Sequence, residues 1–142
     1  MKWLLVAVLC AGCRPHRPRP GESPAEVCTL TNHEKVVTVS GYFTASYAGW
    51  GCTTSCPMYI SPERTVAEGV NAVFSVGVSP NQMRPTPPLG GSADPFDIFQ
   101  VRDFTNRLAR FNDVIRVRGR LTFTPGATRD PCRLEVTRVE IP

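Results

Sequence analysis

The side chains with most chemical reach are six cysteines, and two of them sit close together in CTTSCPM, Cys52 to Met58. A cysteine pair at this spacing can hold a soft metal through two thiolates, cycle as a dithiol, or close as a disulfide. Met58 adds a thioether beside it, while His16 and His33 are the only histidines. Asp94 and Asp97 could act as paired carboxylates, but they flank Pro95 in a proline-rich stretch and read as turn formers. The chain carries no His-x-x-Glu pair, no nucleophile elbow and no phosphate loop, so nothing in it points to an enzyme. A different chemistry is offered by Arg116, Arg118 and Arg120, which alternate along one segment, and by the aromatic residues Tyr42 and Trp50. Arginines spaced about 7 Å apart on a strand suit an anionic ligand.

Charge limits what that ligand is. The 142-residue chain has a formal net charge of +4, yet from Cys28 onward twelve Lys/Arg face ten Asp/Glu. Single-strand nucleic-acid binders combine a basic groove with stacking aromatics, and this excess is too small to argue for one. Glu135 and Glu140 on the following segment are positioned to pair with the arginines as ordinary surface charges. Length allows one domain with its own core. Fourteen prolines and eleven glycines with 20% charged residues favour a loop-rich β protein.

The N-terminus reads as an address. Lys2 precedes an apolar run from Trp3 to Ala11 that is too short to span a membrane and has the layout of an export signal. Ala11-Gly12-Cys13 resembles the lipobox of bacterial lipoproteins, with Cys10 where that family usually has leucine. The resemblance implies a signal peptide over residues 1–12, a lipid on Cys13 and attachment to a membrane. Arg14 stands where an aspartate would mark inner-membrane retention, which points to an outer-membrane lipoprotein facing the periplasm or the surface. A cleaved signal with a freely soluble exported product is the alternative. Residues 13–27, rich in proline and arginine, read as an extended tether, and residues 28–142 as the domain.

Two strands stand out within that domain. Val37, Val39, Gly41, Phe43 and Ala45 share one side of the first, with Thr38, Ser40, Tyr42 and Thr44 opposite; Ile115, Val117, Gly119, Leu121 and Phe123 do the same in the second, opposite Arg116, Arg118, Arg120 and Thr122. Each has a glycine on its inward side, where a missing side chain lets a strand coil sharply. Residues 57–61, 70–78 and 96–102 are further strand candidates. Asp103 is expected to cap a short helix with Phe104, Leu108 and Phe111 on one stripe. Ser79 to Pro95, with five prolines and two glycines, reads as a surface excursion through which no ladder runs. In the last strand Leu134 and Val136 share a parity that Val139 and Ile141 do not, which predicts a bulge at Thr137 or Arg138.

This order of elements resembles the OB-fold. The expectation is a mainly β chain forming a five- to six-stranded Greek-key barrel with one short helix before the penultimate strand; an eight-stranded sandwich stays open. In an exported chain Cys28, Cys52, Cys56 and Cys132 read as two disulfides with three possible pairings, of which Cys52–Cys56 and Cys28–Cys132 are favoured. Cys-x3-Cys-Pro resembles the copper motif of the Sco family of exported assembly factors, which implies Cys52 and Cys56 as thiolate ligands, with Met58 beside them. That family's thioredoxin-like scaffold and downstream histidine have no counterpart here. Small periplasmic OB-fold copper chaperones offer a second resemblance, to which Trp50, Met58, Met83 and His33 contribute residue types without the spacing. The function expected is therefore a non-enzymatic envelope lipoprotein that binds or assembles with a protein partner, with no cofactor. The alternative is a periplasmic copper-binding or thiol-redox accessory protein.

Overall fold

The structure, a computed structural model, describes residues 16–45, 49–88 and 94–142. A helical turn α1 (Pro24–Val27) and a 3-10 turn (Leu30–Asn32) lead into β1 (Val36–Thr44), β2 (Ser55–Ser61) and β3 (Val70–Ser75). A second helical turn α2 (Pro95–Ile98) precedes a short ribbon of β4 (Gln100–Arg102) and β5 (Leu108–Arg110), and β6 (Val114–Phe123) and β7 (Cys132–Glu140) complete the chain. Among the described residues five strands close a barrel in the order β1-β2-β3-β7-β6, with β3 and β7 parallel and the other neighbours antiparallel. The architecture is consistent with an OB-like fold; the sandwich does not form.

The two glycine-bearing strands are neighbours, with Gly41 opposite Ile115 and Val37 opposite Gly119. A Cβ on Gly41 would stand 2.5 Å from the Ser61 carbonyl oxygen, and one on Gly119 would stand 2.0 Å from that of Glu135. Backbone from the next strand occupies the space a side chain would need, so these positions bring adjacent strands together where the barrel curls. Inside, Val39, Phe43, Met58, Ile60, Phe74, Ile115, Leu121 and Leu134 are fully buried, and the Phe43 and Phe74 rings meet edge to face at 5.6 Å. The bulge falls where parity predicts it: Arg118 faces Arg138 and Gly119 faces Val136, leaving Thr137 unpaired in the ladder.

Two disulfides fasten the barrel. Cys28 joins Cys132 across 104 residues, tying the segment ahead of β1 to the start of β7. In the chain-entropy account a loop of that length contributes about 4 to 5 kcal/mol. Cys52 joins Cys56, closing the β1–β2 connection on itself. Both bonds are compatible with an exported protein.

Three expectations need correction. The helix over 103–111 is absent, because the Asp103 carboxylate takes the backbone for itself. It accepts from Thr105 N at 2.9 Å, Thr105 Oγ1 at 2.7 Å, Arg107 N at 2.8 Å and Arg107 Nε at 3.0 Å. Asn106 takes the left-handed conformation (φ 69°), and the chain folds into the β4–β5 turn. A short helix does precede the ribbon, but it is α2, capped by Asp94 through Phe96 N, and it takes the first half of the strand expected over 96–102, which is confined to β4. Secondly, Ser79 to Pro95 is not merely a surface excursion. Met83 is fully buried and bridges Val76 on one side and Val101 on the other, so single rungs run through the segment.

Thirdly, the expected tether is docked from His16 onward. The Ser23–Glu26 capping box and Pro24 start α1, which drives Val27 into the core. Upstream, Ser40 N donates to Glu22 O at 2.8 Å, and His16 Nε2 shares a 3.0 Å hydrogen bond with Ser40 Oγ. A segment with almost nothing apolar is held by polar contacts instead of burial.

Candidate ligand-binding cleft

The outward side of β1, β6 and β7 carries the basic residues singled out by the sequence. Because Thr38 pairs with Arg118 and Arg118 with Arg138, these three side chains form one transverse row; Ser40, Arg116 and Glu140 form the next. Together they line a cleft of about 360 Å³ formed by Thr38, Arg116, Val117, Arg118, Arg138 and Glu140.

Arg116 is the fixed corner. Its Nε and Nη2 donate to the two carboxylate oxygens of Glu22 at 2.9 and 2.6 Å, and its Nη1 donates to Glu140 at 2.5 Å. The hydrogen bonds to Glu22 raise the guanidinium's pKa further above its usual range, against the opposing effect of burial. The same hydrogen bonds hold the Glu22 carboxyl below its usual value. Arg138 is placed by Glu140, at 3.0 Å, and by the Phe104 ring, over which its guanidinium lies at 3.8 Å. Arg118 is exposed and makes no ion pair among the described residues, and its direct cross-strand neighbour is the like-charged Arg138. Like charges directly opposed across a ladder are unfavourable. An anion in the cleft would relieve that.

The remaining candidates are placed elsewhere or otherwise engaged. Arg120 lies 3.5 Å from Glu34, both well exposed, and Glu135 pairs with Arg133 on its own strand at 2.8 Å. Tyr42 is flanked by the edge-on His16 ring at 6.2 Å and by the Arg64 guanidinium at 5.5 Å. Trp50 belongs to the β1–β2 connection and meets Phe99 edge to face at 5.3 Å, so it does not share the arginine face. Cys13 lies outside the described residues.

The metal-ligand set changes character. Cys52 and Cys56 are bonded to each other, so neither is a thiolate, and Met58 is fully enclosed in the barrel. Thr86 Oγ1 fastens the connection instead, accepting from Cys52 N at 2.8 Å and donating to Gly49 O at 2.9 Å. The cysteine motif is a brace for the β1–β2 turn.

Sequence reasoning missed Arg138 as a member of the cleft, although the parity slip at Thr137 was the signal that would have put it opposite Arg118. It also missed a second, larger cleft of about 550 Å³, formed by Tyr59 with residues 67–69 and 128–131. There Tyr59 Oη donates to Asp130 Oδ1 at 2.7 Å and Asn71 Nδ2 reaches the other oxygen at 3.5 Å, while Asn71 Oδ1 is enclosed without a hydrogen-bond partner. Burial, with that hydrogen bond and the Asp130 charge, pushes the Tyr59 phenol up to about 12. The Tyr59–Asp130 pair draws the β6–β7 loop down onto the sheet. No family model, curated protein or solved structure matches the chain.

Proposed function

We propose that this chain is an exported, non-enzymatic binding module, held at the cell envelope by a lipid on Cys13, that receives an anionic group in the cleft of β1, β6 and β7. The observation that carries the reading is the placement of Arg118 opposite Arg138, two cations on adjacent strands at a bulge that turns Arg138 outward. The rigid surroundings support it: Arg116, gripped by Glu22 and Glu140, fixes one wall, and Thr38 contributes a hydroxyl from β1. A preset cationic pair binds carboxylate or phosphate with little reordering cost. The two disulfides and the lipobox resemblance support the envelope address.

Titration of isotope-labelled protein with inorganic phosphate and with a glutamate-rich peptide, followed by amide and guanidinium resonances, tests the binding role. Shifts confined to Thr38, Arg116 to Arg118 and Arg138, and lost in Arg118→Gln, are expected. Unperturbed resonances at the cleft with both anions at low salt would overturn the reading.

A further inference from the structure

We propose that the anion met by this cleft is the headgroup layer of the membrane itself, so that the β1–β6–β7 face lies against the bilayer. This rests on the lipid-anchored reading above. Two independent features carry it: where the chain enters the barrel, and what charge surrounds that point.

The segment from His16 to Glu22 is a strap laid over the outward side of β1 and β6. Its first described residue is hydrogen-bonded to Ser40 and stands edge-on to Tyr42, and its last is bonded to Arg116. Both attachment points lie one row from Thr38 and Arg118 in the strand register. Cys13 is three residues before His16, and three residues of fully extended chain reach no more than about 10 Å. A lipid on Cys13 therefore cannot hold the barrel at a distance. It must hold it close, by the face the strap crosses.

That face is cationic where it is open. Arg17 and Arg19 are exposed on the strap, Arg118 is exposed on β6, and the Arg138 side chain is 46% exposed on β7. The carboxylates on the same face, Glu22 and Glu140, are already taken by Arg116 and Arg138. Arginine near an anionic leaflet is attracted over a distance set by the screening length, about 8 Å in physiological salt. The leash, about 10 Å at full stretch, is comparable to that length, which brings the strap arginines Arg17 and Arg19 within range of the headgroups.

The test uses the full exported chain in two forms. The acylated protein is placed in nanodiscs containing phosphatidylglycerol and a gadolinium-chelating lipid, and paramagnetic broadening is mapped. Broadening concentrated on Thr38, Ser40, Arg116 to Arg118 and Arg138 is expected; broadening centred on another face, with Cys13 acylated, overturns the inference. In the second arm the Cys13→Ser protein is sedimented with phosphatidylglycerol vesicles. Replacing Arg118 and Arg138 by Gln should lower partitioning roughly thirty-fold, whereas Arg118→Lys should retain it and report that the fold is intact. Equal partitioning onto phosphatidylcholine, or a cleft that binds dissolved phosphate without preferring anionic vesicles, overturns the inference in favour of a soluble ligand. Mass spectrometry of the native protein reads the anchor separately: an unacylated Cys13 refutes the anchored reading and with it the leash, whatever the vesicle arm gives.

Discussion

Glu22 grips Arg116 with both carboxylate oxygens, at 2.9 and 2.6 Å, across 94 residues of sequence. Both side chains are mostly buried, with 16–17% of their surface exposed. Their pairing fixes the N-terminal strap on β6 and holds one wall of the cleft at the same time.

That pairing gives the strap a defined acid sensitivity. Because Arg116 lowers the Glu22 pKa from its ordinary value of 4.5, the stabilisation is present above that value and is lost as pH falls through the depressed one. The protection of backbone amides in residues 19–27, relative to their intrinsic exchange rates, should fall as pH drops through the depressed Glu22 value, below the ordinary 4.5, while the barrel core stays protected. Glu22→Gln should show the lowered protection at neutral pH, lose that pH dependence, and cost about 1 to 2 kcal/mol in denaturant unfolding. Strap exchange that is the same in both proteins at pH 7 would remove the role assigned to the pair.

Barrel closure should depend on two missing side chains. Gly119→Ala would drive a Cβ into the Glu135 carbonyl, and Gly41→Ala into that of Ser61, both backbone atoms that cannot rotate away. Each substitution is expected to destabilise by about 2 to 3 kcal/mol, the upper part of the range for overpacking that forces backbone shifts. Gly126→Ala is the comparison: a Cβ there meets nothing within 4 Å, and its cost comes from the left-handed backbone (φ 75°) alone, about 1 kcal/mol. Urea unfolding midpoints measure all three. A Gly119→Ala protein as stable as the parent would mean that β6 and β7 do not approach as described.

The latch over the second cleft can be read in absorbance. Tyr59 should ionise near pH 12, chiefly because it is buried, and Asp130→Asn, by removing the charge and weakening the acceptor, should lower its transition by the part that Asp130 supplies. Tyr59→Phe identifies which tyrosine gives the late step. Since the folded pKa is raised above the unfolded one, this contact stabilises fully below pH 10 and is lost as pH rises toward 12. A Tyr59 titration unchanged by Asp130→Asn would contradict the hydrogen bond.

What the sequence disclosed and what it hid divide along physical lines. The phases of β1 and β6 were legible because a strand buried on one side alternates, and because Gly41 and Gly119 interrupt that alternation at matching places. The bulge at Thr137 was legible as a slip in parity. The β4–β5 turn was not, since the apolar spacing of Phe104, Leu108 and Phe111 argues for a helix, and only the count of hydrogen bonds to Asp103 shows which pattern wins. Met83 was hidden by the prolines around it, because its partners Val76 and Val101 are brought to it by the fold. The docked strap was hidden most completely. Its decisive contact joins residues 22 and 116, and no local property of a proline-rich segment announces an ion pair that far away. Arg118 was found as a candidate and its opposition to Arg138 was not, although the same parity slip implies it.

The account stands on an exported chain whose cysteines divide between one lipid anchor and two internal bonds. The intact mass of the protein extracted from its own envelope without reduction tests this most directly. The account predicts a chain beginning at Cys13, heavier by its acyl groups and lighter by the four hydrogens lost in forming Cys28–Cys132 and Cys52–Cys56. A mature N-terminus elsewhere without acylation, or free thiols at those four positions, would contradict it.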